Sequence, residues 1–212
     1  MSKSEIISQQ LEEIKIELKE RPEDPDLLND LGVGYYLLGQ YANAIIQLKK
    51  ASDLYPDSVN IQFNLGNAYS ENGQIEKATD AYLRALDLNP SHIPSLNNLA
   101  DCYELIGHLE KSHELFHYLI KIDPDNALPY FNLGNFLLRQ NQHIEAVKAY
   151  EDAIKRDSSF TDAYFNIAWV LKKAGVYDRA LEFADSGLLI DSNHSDLLAL
   201  KGEIKEAISK KN

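Results

Sequence analysis

"LNDLGVGYYLLGQYANAI" occupies residues 28–45, "QFNLGNAYSENGQIEKAT" residues 62–79, and "YFNLGNFLLRQNQHIEAV" residues 130–147. The three share a Leu–Gly pair, a later glycine or asparagine, and an alanine beyond it. They are offset by 34 and then 68 residues, one and two turns of a single period. Self-similarity at a fixed period of this size marks a stacked array of like units. Units beginning at Pro25, Val59, Ile93, Ala127 and Thr161 align without insertion, and a partial one begins at Ser195.

The physics of each position follows from the alignment. Position 7 reads Leu31, Leu65, Leu99, Leu133, Ile167, and position 11 reads Tyr35, Tyr69, Tyr103, Leu137, Leu171. Apolar residues at positions 4, 7 and 11 form one stripe at helical spacing, and those at 20, 24 and 27 form a second. Position 8 (Gly32, Gly66, Ala100, Gly134, Ala168) and position 20 (Ala44, Ala78, Ser112, Ala146, Ala180) are small, which lets two helices approach closely. Position 15 reads Gly39, Gly73, Gly107, Asn141, Gly175. Glycine there permits a positive φ just beyond a helix, and asparagine tolerates it next best. Position 32 reads Pro56, Pro90, Pro124, Ser158, Ser192, and proline cannot continue a helix.

This pattern resembles the tetratricopeptide repeat, whose 34-residue unit is a helix-turn-helix. The resemblance covers residues 25–194 and implies an all-α, right-handed solenoid of twelve helices, read as a single domain over 1–212. Its five repeats are expected at 25–58, 59–92, 93–126, 127–160 and 161–194. Residues 4–20 read as an amphipathic N-terminal capping helix, the second helix of a truncated repeat, with Ile7, Leu11, Ile14 and Leu18 on one side. Residues 195–210 read as a solubilising C-terminal capping helix, since stacked repeats need closed ends. In the fifth repeat Ala184, Gly187 and Ser192 replace the usual large residue, alanine and proline. A looser second helix is expected there.

Composition narrows the function classes. The chain has 212 residues, 44% hydrophobic, and a net charge of −12. That acidity argues against nucleic acid and against an anionic membrane surface, both of which attract Lys and Arg. No apolar run is long enough to span a bilayer. Cys102 is the only cysteine, so no intrachain disulfide can form, and position 10 suggests a buried structural thiol. A cytoplasmic location is the default expectation.

One stretch competes with this reading. "HELFH" at 113–117 fits the His-Glu-x-x-His pattern of zinc peptidases, with two imidazoles on one helical face. The repeat alignment gives those letters other duties. Phe116 is the large residue of position 24, His113 replaces mostly apolar residues, and His117 falls at a tolerant surface position. The extended zinc signature would need glycine at 120 and histidine at 123, where Ile120 and Asp123 stand. The expectation is a non-enzyme without metal or cofactor, a metallopeptidase being the remote alternative.

In the family that the pattern resembles, positions 2, 5, 6, 9, 12 and 13 of the first helix face a concave groove. Here position 6 carries Asp30, Asn64, Asn98, Asn132 and Asn166, and position 9 includes Asn67, Asp101, Asn135 and Trp169. An asparagine amide offers both donor and acceptor, so a row of them can hold an extended backbone without reading its sequence. Phe63, Phe131 and Phe165 at position 5 are expected as exposed aromatic contacts. Phe165, Trp169, Lys172 and Lys173 share one helical face at the far end and suit an acidic or carboxylate group. The carboxylate clamp of the family's chaperone-tail binders needs a lysine at position 5, which no repeat supplies. The implied function is an adaptor that binds an extended segment of another protein. A self-associating scaffold, built by stacking ends, is the alternative.

Overall fold

A computed structural model describes residues 2–211. Among them are twelve α-helices and no strand. The fold is all-α, in helix-turn-helix repeats. After α1 (Lys3–Glu20), the first helices are α2 (Pro25–Leu37), α4 (Val59–Glu71), α6 (Ile93–Leu105), α8 (Ala127–Arg139) and α10 (Thr161–Lys173). The second helices are α3 (Tyr41–Leu54), α5 (Ile75–Leu88), α7 (Leu109–Ile122), α9 (His143–Arg156) and α11 (Tyr177–Ile190). α12 spans Ser195–Lys211. Each kind of helix recurs at the 34-residue period seen in the sequence.

The helix ends are chemically specified. Position 34 is a recurrent N-cap that sequence reading did not single out. The side chains of Asp24, Ser58, His92 and Asn126 accept from backbone N–H groups of the helix that follows. His194 Nδ1 does the same for Leu197 N at 3.3 Å. Such caps satisfy donors that a helix leaves open. The turn to the second helix passes through a left-handed residue: Gly39, Gly73, Gly107, Asn141 and Gly175 have φ between +59° and +81°. A Cβ built at Gly73 meets nothing within 4 Å, so only the backbone conformation demands glycine there. Gly73→Ala is expected to lower stability by about 1–2 kcal/mol, with Gly73→Asn costing less, as a pair of denaturation curves would show.

The chain divides into two compact units, one running through Leu115 and one from Phe116. In the first, α2 packs on α3 and α4 on α5; α1 covers α2, α3 joins α4, and α5 joins α6. Leu48 and Ala44 form a core with Leu65 and Ala68 of the next repeat. Tyr82 and Ala78 form another with Leu99 and Cys102. Burial in that cluster pushes the Cys102 thiol up to about 11, so it stays protonated and inert. In the second unit α8 packs on α9, α10 on α11, and α12 on both α11 and α10. Leu197, Leu200 and Ile204 of α12 are buried there.

Two expectations are corrected. The stripe at position 4 is not wholly apolar. Gln62 occupies it in the second repeat, 1% exposed, donating to Ser52 Oγ at 2.9 Å and to the Pro56 carbonyl at 3.0 Å. Tyr130 and Tyr164 at the same position donate to the carbonyls of Pro124 and Ser158 at 3.1 and 3.3 Å. Position 4 therefore ties successive repeats together through the carbonyl of position 32. The fifth repeat is also not loose at its second helix. Ala184 is fully buried, and a Cβ at Gly187 would stand 2.7 Å from Leu197 Cδ1 and 3.0 Å from Tyr164 Cβ. Glycine at position 27 admits α12 at close range.

Candidate functional site

The asparagine positions form a network. In the first unit Asn98 Nδ2 donates to Asn67 Oδ1 at 2.8 Å, and the Tyr82 hydroxyl donates to the same oxygen at 2.8 Å. Asn98 Nδ2 also reaches Tyr82 Oη at 3.2 Å. In the second unit the pattern recurs: Asn166 Nδ2 donates to Asn135 Oδ1 at 3.2 Å, and the Tyr150 hydroxyl donates to it at 2.8 Å. The rule is one of repeat geometry. The position-6 amide of one repeat and the position-24 tyrosine of the preceding one converge on the position-9 oxygen of that preceding repeat. Near the N-terminus Asn64 Nδ2 donates instead to Asn29 Oδ1 at 2.9 Å, and Asn29 Nδ2 to Asp30 Oδ1 at 3.3 Å.

This arrangement divides the amides' capacity. Asn67 and Asn135 spend their oxygens on the chain itself, and their Nδ2 groups keep two N–H donors each. Asn98 and Asn166 donate inward and keep Oδ1 as an acceptor. The side chains are half-buried, and the tyrosines fix the position-9 amide plane. Burial pushes the Tyr82 and Tyr150 phenols well above their ordinary range, so both remain donors at any physiological pH. The surface thus offers a donor and an acceptor at each of two repeat junctions, in fixed orientation, from Asn67 and Asn98 in one unit and from Asn135 and Asn166 in the other. The sequence shows the asparagines but not that half of their bonding is internal. The available signal was tyrosine at position 24 of those two repeats.

The aromatics of position 5 are not freely exposed as expected. Phe63, Phe131 and Phe165 are half-buried. Phe63 packs edge-on against His92 (centroids 5.2 Å apart) and tilted against Tyr82 at 6.1 Å. Phe131 stands edge-on to Phe160 at 4.7 Å and tilted to Tyr150 at 5.6 Å. Phe165 stacks on His194 at 6.4 Å. Position 5 therefore packs on position 34 of its own repeat. Burial lowers the pKa of His92, which favours the neutral ring that caps α6.

The remaining candidates are placed as follows. Asp30 and Asp101 are exposed and Asn132 half-buried. Trp169 is half-buried, with Lys173 Nζ 5.3 Å from its ring centroid. Lys172 forms an ion pair with Glu203 of α12, which holds the Glu203 carboxyl below its usual range. Of the two lysines, Lys173 is the one that stays exposed. His113 and His117 lie on α7, half-buried and exposed respectively. Among the described residues no group of three or more His, Cys, Asp or Glu side chains is placed to hold a metal ion. No described helix is long and apolar enough to cross a membrane.

Models of the tetratricopeptide repeat match residues 32–73, 59–92, 81–114 with 115–148, and 137–204. Several solved structures share the fold. A tetratricopeptide repeat protein from Parabacteroides merdae is 20% identical with a TM-score of 0.77, over 97% of this chain and 81% of its own. Pseudomonas aeruginosa pilF is 20% identical with a TM-score of 0.71, over 91% and 87%. YrrB, described as a repeat protein of this kind with an unusual peptide-binding site, is 17% identical with a TM-score of 0.63, over 89% and 97%. No curated protein is significantly similar in sequence.

Proposed function

The chain belongs to the tetratricopeptide repeat family, and from that premise we propose that it is a non-enzymatic adaptor whose asparagine rows bind an extended segment of another protein. The observation that carries this is the division of the amides. Asn67 Nδ2 and Asn98 Oδ1, like Asn135 Nδ2 and Asn166 Oδ1, present one donor and one acceptor with their planes already fixed. An extended backbone offers the complementary C=O and N–H at each residue. Ordering the amides within the fold lowers the entropy lost on binding. The half-buried faces of Phe63, Phe131 and Phe165 supply apolar contact beside each pair. YrrB, of the same fold, carries a peptide-binding site by its own description. An acidic chain of this kind is expected to favour segments without strong negative charge over the first unit.

A random extended-peptide library, screened on the immobilised chain, tests this. The wild type should retain a defined set of peptides. Asn98→Ala and Asn166→Ala should each weaken them by about tenfold, the loss of one or two hydrogen bonds near 1 kcal/mol apiece. Asn43→Ala, on α3, should change nothing. Retention of the same peptides with the same affinity by both variants would remove the asparagine rows from consideration as the binding surface.

A further inference from the structure

Position 34 is filled by a titratable ring at two places, His92 and His194, where Asp24, Ser58, Asn126 and Phe160 stand elsewhere. His92 caps α6 through a single atom. Its Nδ1 accepts from Ser95 N at 3.3 Å and lies 2.8 Å from Ser95 Oγ. Accepting a backbone N–H requires Nδ1 to carry no proton, so the hydroxyl donates to it as well and the ring proton sits on Nε2. Ser95 is fully buried, which keeps its N–H from any water that could replace the ring. His92 itself is half-buried, edge-on against Phe63 of α4.

The same ring is joined to both parts of the asparagine site in the first unit. Phe63 packs in turn on Tyr82, whose hydroxyl fixes Asn67. The helix that His92 caps carries Asn98, three residues beyond Ser95. Nothing around the ring receives a positive charge. Phe63 of α4, Asn89 of the turn after α5 and Ser95 of α6 are its partners, and all are uncharged. The titratable groups behind Phe63, Tyr82 and Cys102, stay protonated. A charge on His92 would also face the positive end of the α6 dipole. His194 differs in one respect. Its Nδ1 accepts from Leu197 N and its ring stacks on Phe165, but Asp162 Oδ1 stands 3.6 Å from Nε2, placed to pair with a charged ring.

We propose that His92 is a proton-sensitive latch on the asparagine site of the first unit: protonation of Nδ1 withdraws the cap of α6 and loosens the setting of Phe63 and Asn98. The protonated ring leaves the buried Ser95 N–H without an acceptor. Burial holds His92 below its ordinary 6.5 in the folded chain. Its contribution to stability is therefore complete above 6.5 and is lost as the pH falls through the folded value. Acid opens the first turn of α6, and the acceptor of Asn98 loses its fixed place beside Asn67. The consequence for binding rests on the adaptor reading, whereas the loss of the cap does not.

An NMR titration of the full chain reads the ring directly. At about pH 7.5 Nδ1 should be the unprotonated nitrogen, and the ring should titrate below about 6.5. Between about pH 7.5 and about pH 5 the melting temperature of the wild type should fall about 2–4 °C further than that of His92→Asn, which keeps a capping oxygen and removes the proton. His194→Asn should change that slope less, since Asp162 offsets the charge there. An uncharged peptide retained at about pH 7.5 should be held about fivefold more weakly by the wild type at about pH 5.5, and equally at both by His92→Asn. Titration of His92 at or above about 6.5, one pH slope for wild type and His92→Asn, or equal retention by the wild type at both pH values would overturn the proposal. A wild type that retains no peptide at any pH would remove the adaptor reading, while the ring titration and the melting curves still decide the cap.

Discussion

Tyr82→Ala is expected to lower the unfolding free energy by about 3–5 kcal/mol, the range for removing a large buried ring. The side chain is 1% exposed and sits in a cluster with Ala78, Leu99 and Cys102, with Phe63 and Tyr69 packed against it. It therefore belongs to the joint between the second and third repeats, and its loss opens a cavity among residues of both. The hydroxyl adds a smaller part: without it Asn67 Oδ1 keeps only Asn98 as a donor, and Asn98 loses its second acceptor. Tyr82→Phe separates the two contributions and should cost about 0.5–1.5 kcal/mol. Urea denaturation followed by circular dichroism measures both. A loss under about 1 kcal/mol for Tyr82→Ala would mean that the joint does not depend on this ring.

Gly66→Ala should be destabilising by about 1–3 kcal/mol or more, although alanine is the better helix former. A Cβ at residue 66 would stand 2.5 Å from Tyr82 Cε1, 2.7 Å from Cδ1 and 3.0 Å from Cζ. The ring is enclosed on its other sides and cannot retreat, so the helices must separate. Gly134 and Tyr150 repeat the geometry, at 2.6 Å and 2.7 Å. The cause predicts a change of sign. In a Tyr82→Ala background the clash is gone, and Gly66→Ala should be neutral or stabilising by up to about 1 kcal/mol. The fifth repeat already contains that combination, with Ala168 and Ala184 both fully buried. A double-mutant cycle gives the coupling directly. Equal costs for Gly66→Ala in both backgrounds would show that the ring is not the obstacle.

The sequence by itself determined the repeat. A 34-residue period of small, apolar and turn residues leaves one solution for burying two helical faces. The positive φ at Asn141 follows from its place in a column of glycines. The end helices were equally legible, because their apolar faces stop where the repeat pattern stops. Only the tertiary structure decided what the polar columns do. Position 4 reads as core until Gln62, Tyr130 and Tyr164 are seen donating to the carbonyls of the preceding repeat. Position 6 and position 9 read as two rows of like amides until Tyr82 and Tyr150 are seen fixing one row against the other. The physical reason is reach. Apolar burial is set by which face a residue occupies, and periodicity reveals that. A hydrogen bond needs a particular donor within about 3 Å of a particular acceptor. Here those partners lie 15 and 31 residues apart: the packing of the two helices of one repeat brings the first pair together, and the stacking of one repeat on the next the second.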